Sequence, residues 1–111
     1  MNVNFNGYGE NIATFIADSG LTQTGVPVKM SDDGTVAVCG ANEVFCGVCV
    51  GLRGGYAAVQ LAGYVRAAAS AKIDVGYKKL AAGNDGTVAV NSSGRELLVV
   101  DSTADEIGFI L

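Results

Sequence analysis

The chain has no histidine and no tryptophan, one proline, three cysteines and only seven basic residues among its 111. Histidine is the commonest general base and the usual partner of a nucleophilic serine or cysteine. Without it, no Ser-His-Asp or Cys-His site forms within one chain. The basic residues Lys29, Arg53, Arg66, Lys72, Lys78, Lys79 and Arg95 are scattered among eleven acidic ones, and the net charge is −4. Nucleic-acid binding needs a concentrated basic face that displaces counterions from phosphates, so no nucleic-acid partner is expected. An odd cysteine count fits a reducing compartment better than a disulfide framework. The longest apolar-plus-glycine run, Val44 to Leu52, is far short of the ~20 residues that span a bilayer. The opening MNVNFNGYGENIATF has neither the basic nor the apolar region of a secretory signal. Synthesis in the cytosol, without membrane association, is the expectation.

Half the residues are hydrophobic and 16 are glycine, a composition that folds and carries more than twice the usual ~7% glycine. The length suits one domain. Period-2 alternation and β-branched residues dominate. They predict strands at about 12–18, 26–30, 35–39, 44–51, 56–66, 77–81, 87–90, 97–101 and 106–111. Gly, Asn, Asp and Ser fill most gaps, which predicts an all-β fold, a small antiparallel sandwich or barrel. Arg66–Lys72, RAAASAK, reads as a short helix or a loop with one helical turn, because seven alanine-rich residues do not hold a helix alone.

The hexapeptide DGTVAV occurs at 33–38 and again at 85–90, a step of 52 positions. Asp-Gly after an apolar strand signals a hairpin, since glycine reaches positive φ without steric cost. Each copy is followed by a strand containing glycine, Glu43-Val-Phe-Cys-Gly47 and Glu106-Ile-Gly108. The chain reads as two pseudo-repeated hairpin units. Neither is expected to bury its apolar face alone, so the two should pack on each other.

The motifs with chemical potential resolve into structure. Cys46-Gly-Val-Cys49 lies in a strand pattern, where residues i and i+3 point to opposite faces. The pair is therefore read as small buried hydrophobes rather than as a redox or zinc site. Asp32-Asp33 and Asp85 lack the ligand spacing of a calcium loop and suit turns. Gly51-Leu-Arg-Gly54-Gly55 lacks the Lys-Ser/Thr and the helix of a phosphate loop. No catalytic, metal or cofactor residue is assigned, and no enzyme activity is expected.

Two stretches stand out as interaction candidates. In 56–66, Ala57, Val59, Leu61, Gly63 and Val65 form a core face. Tyr56, Ala58, Gln60, Ala62, Tyr64 and Arg66 form the other, with the residue types of interface anchors at Tyr56, Tyr64 and Arg66. Residues 1–11 alternate Asn and Gly with Val3, Phe5 and Tyr8, the pattern of an arm that orders on a partner. The organisation read from the chain is therefore an N-terminal arm, 1–11, and one β-domain, 12–111.

The order Ala13-Thr-Phe15, Gly25-Val-Pro-Val28-Lys, Asp33-Gly-Thr-Val36, Glu43-Val-Phe-Cys-Gly47-Val, Gly55-Tyr-Ala-Ala-Val59-Gln-Leu-Ala-Gly63-Tyr-Val, Val75-Gly-Tyr and Ile107-Gly-Phe-Ile110 resembles the small head decoration, or cement, proteins of tailed bacteriophages and prophages. The resemblance runs through nearly the whole chain. It implies a β-rich virion protein, made in the host bacterial cytoplasm, that sits outside the capsid shell and reinforces it. It also implies the major capsid protein as partner, a homo-oligomer that in such proteins is often a trimer, and in some an N-terminal segment that touches the shell. A cytosolic β-barrel or sandwich that binds a small ligand or acts as an adaptor is the alternative reading of the residues themselves.

Overall fold

The computed structural model describes residues 11–111. Ten strands form: β1 (Asn11–Ala17), β2 (Pro27–Asp32), β3 (Thr35–Val38), β4 (Gly47–Arg53), β5 (Tyr56–Ala62), β6 (Tyr64–Ala68), β7 (Gly76–Ala82), β8 (Val88–Val90), β9 (Arg95–Ser102) and β10 (Glu106–Ile110), with one 3-10 turn at Asn84–Gly86. The first five close into a barrel in the order β1-β3-β2-β4-β5, and the last five form a sheet in the order β6-β10-β9-β7-β8. Read in the opposite direction, the second order repeats the first, one step further round. The edges of the second sheet meet through one parallel bridge, Ala69 with Val88.

The repeated hexapeptide is the index of this duplication. Val28 pairs with Val38 and Met30 with Val36; 52 positions on, Leu80 pairs with Val90 and Ala82 with Val88. Ala17 pairs with Val36 in parallel, and the matching pair is the Ala69–Val88 bridge. A residue is bulged out at Val50 between β4 and β5 and at Val100 between β9 and β10. Gly34 and Gly86 hold φ of 63° and 77°, the left-handed region that a side chain resists.

Each half carries its own core. Val28, Val36, Cys49, Ala57 and Val59 fill the barrel. Leu80, Val88, Val99, Ile107 and Phe109 form the core of the second sheet, joined there by Cys39, Phe45 and Val48 from the first half. The expected packing of the two units on each other is seen in that shared cluster. Each unit curls around its own core, and the first half plugs the second through the loop ahead of β4. That loop is fixed by Glu43, which accepts from the Gly40 amide at 2.6 Å and pairs with Lys29 at 2.5 Å. The Asn42 amide donates to the Ala82 carbonyl (2.8 Å), and the Ala82 amide to the Glu43 carbonyl (2.9 Å).

Two local expectations change. The stretch 56–66 is two strands, because Gly63 takes φ of 90° and turns the chain from the barrel into the second sheet. The segment 66–72 is not helical: Arg66–Ala68 completes β6, where β10 supplies the hydrogen bonds and the small side chains of Ala67 and Ala69 bury in the second core. Tertiary pairing overrides the weak helix preference of alanine.

Candidate functional site

The alternation continues past Gly63, with Val65 and Ala67 buried and Arg66 exposed. Tyr56 is exposed, but Tyr64 is buried, which corrects the expectation that both project from one outward face. Gln60, also expected outside, is buried and donates from Nε2 to the carbonyls of Tyr64 (2.7 Å) and Ala62 (3.1 Å). It ties the turn from inside, as a buried amide must find partners.

Tyr64 and Arg66 are brought together with Asp101 and Glu106, where β6, β9 and β10 adjoin. Arg66 Nη1 donates to the Tyr64 hydroxyl oxygen at 2.9 Å and to Asp101 Oδ1 at 3.0 Å, and Nη2 donates to Glu106 Oε1 at 3.1 Å. The Tyr64 hydroxyl donates to Asp101 Oδ2 at 3.2 Å. Burial pushes the Tyr64 hydroxyl pKa up, against the lowering influence of Arg66. Gly108, paired with Asp101 on one side and Arg66 on the other, leaves the space this cluster fills. A Cβ there would meet the Tyr64 hydroxyl oxygen at 2.5 Å. These contacts lock one strand layer together.

The surface around Tyr56 has a different character. β1, β5 and β4 lie side by side, with Ile16 paired to Tyr56 and Tyr56 to Arg53. The next row inward is Thr14, Ala58 and Gly51. A groove of about 690 Å3 runs here, lined by Thr14, Gly51, Leu52, Arg53, Gly54, Tyr56 and Ala58. Ile12 (52%), Ile16 (51%) and Tyr56 (57%) are all exposed by half or more, although the outer face of a solvated antiparallel sheet is ordinarily polar. Sequence reasoning reached Tyr56 alone. The signal it passed over lies in IATFIA, where both alternating faces are apolar and only one faces the core.

The remaining candidates fall elsewhere. Val3, Phe5 and Tyr8 lie outside the described residues, and Asn11, assigned to the arm, already pairs with Ala62 in β1. Cys39, Cys46 and Cys49 are free. Burial raises all three thiols, Cys39 to about 11, the opposite of the lowered pKa of a reactive thiolate. Among the described residues, no group of three His, Cys, Asp or Glu is arranged to hold a metal.

A closed five-stranded barrel and a second five-stranded sheet, joined by a loop plug and bearing an apolar groove, define an all-β class of protein. No family model matches the chain, and no curated protein matches it. The fold is that of a solved structure, the head fiber gp8.5 N base of bacteriophage phi29, with a TM-score of 0.61 and 19% identity over 92% of this chain and 93% of that one.

Proposed function

We propose that this chain is a structural protein of a phage or prophage virion that binds the outside of the capsid shell and reinforces it. The observation that carries the reading is the likeness of fold, from end to end, to the base of a phage head fiber. The order of residue patterns along the sequence points independently to head decoration proteins. The role proposed is mechanical rather than catalytic, with no cofactor. The partner is the major capsid protein, and the working form is a homo-oligomer, with a trimer expected. Residues 1–11, through Val3, Phe5 and Tyr8, make one shell contact, because apolar side chains set among Asn and Gly gain burial only on a partner.

The test mixes the purified protein with expanded empty shells of the phage that encodes it. Saturable co-sedimentation and a higher shell melting temperature are expected. Absence of both at micromolar protein overturns the reading.

A further inference from the structure

We propose that the groove crossing β1, β5 and β4 is a shell-contact site, and that it takes a capsid-protein loop bearing an apolar side chain beside a carboxylate. The inference rests on the virion reading and names the surface and the chemistry of its partner.

The shape comes from the strand register. Thr14, Ala58 and Gly51 stand in one row across three strands, and Ile16, Tyr56 and Arg53 stand in the next. Short side chains make the floor and long ones the wall. Ile12 and the bulged Val50, both exposed, rise beyond the floor. A water-facing groove of this kind leaves apolar surface in contact with solvent, and burying it under a partner's side chain is favourable.

The charge comes from Arg53, among the described residues the one charged side chain lining the groove. Among the described residues the Arg53 side chain forms no hydrogen bond or ion pair, whereas Lys29 and Arg66 are held in salt bridges and Arg95 donates to the carbonyls of Phe45 and Cys46. An unengaged guanidinium at the end of an apolar trough, in a chain of net charge −4, selects a carboxylate and can grip it bidentately. A two-fold pairing of this face with itself is disfavoured, since it would bring Arg53 towards Arg53 with no carboxylate among the described lining residues.

The experiment compares the parent with Arg53→Glu, Tyr56→Ser and, as a control on the second sheet, the exposed Tyr77→Ser, by co-sedimentation with expanded shells and by sedimentation velocity of the free protein. Circular dichroism confirms that each variant folds. Arg53→Glu and Tyr56→Ser are each expected to weaken shell binding on the order of tenfold, and Tyr77→Ser to leave it unchanged. Binding by the parent should fall as salt rises and that of Arg53→Gln should fall less. If the parent binds and both groove variants bind equally well, the groove proposal is overturned while the virion reading stands. A groove variant that lowers the mass of the free protein assigns the groove to a second copy and overturns the proposal in that way. A parent that never binds shells removes the virion reading and this inference together.

Discussion

Phe45 and Phe109 lie with ring centroids 6.0 Å apart and planes tilted by 59°, although the first belongs to the loop ahead of β4 and the second to β10. The guanidinium of Arg95 covers the Phe45 ring at 5.9 Å from its centroid. One side chain from the first half therefore completes the core of the second, with the tilted geometry that aromatic quadrupoles favour.

Phe45→Ala should cost about 3–5 kcal/mol, the range for removing a fully buried aromatic side chain. Because the loss falls on the second core, urea unfolding should separate into two transitions, the second sheet melting first. Intrinsic fluorescence reporting Tyr64 alone, after substitution of the other tyrosines by phenylalanine, would follow that transition. A single unchanged transition would show that the plug contributes little.

The two copies of the hexapeptide make an internal comparison. Alanine at Gly34 would meet open space and suffer only the left-handed backbone, whereas at Gly86 its Cβ would also meet Val26 Cγ1 at 2.8 Å. Gly34→Ala should cost about 1 kcal/mol, and Gly86→Ala more. Chemical denaturation of both variants checks the order.

Gly108→Ala should destabilise by about 1–3 kcal/mol, the usual cost of overpacking. The collision is with Tyr64 and Asp101, so a double-mutant cycle with Tyr64→Ala should recover part of the loss. Equal cost in both backgrounds would mean that Asp101 rather than the tyrosine resists the methyl.

Cys39 should resist thiol reagents at pH 8 until the protein unfolds. Its pKa is pushed from 9.0 to about 11 by burial. Below pH 9 the thiol is protonated in both states and its contribution is complete. Between pH 9 and about 11 the unfolded chain loses the proton while the folded one keeps it, so stability falls as pH rises through that window. The rate of labelling by a disulfide reagent and the urea midpoint, each followed from pH 7 to 11 in a variant that keeps only Cys39, test both statements.

Deletion of residues 2–10 should leave the barrel and the second sheet intact, because Asn11 is the first residue paired in β1. Shell co-sedimentation should fall. Ordering a short segment costs roughly 1–2 kcal/mol per residue, so each arm binds weakly, and an oligomer gains through several arms acting together. Full-strength binding by the truncated protein would assign the contact to the β-domain alone.

Alternation, glycine-rich turns and the duplicated hexapeptide determined the all-β class and the two-unit plan, because strand period and turn chemistry are local properties of a few neighbouring residues. The strand positions of β1, β2, β3, β7, β8, β9 and β10 followed from them within a residue or two. Tertiary structure alone decided three matters. The burial of Tyr64 depended on Arg66 and on Asp101 of β9, which meet its hydroxyl, and Asp101 lies far along the chain. The strand at Arg66–Ala68 depended on β10, some 40 positions away in sequence. Finally, the groove arose because Thr14, Ala58 and Gly51 come from three strands whose register is set by pairing. No short window of sequence contains that row, since the hydrogen bonds that align it join residues far apart along the chain.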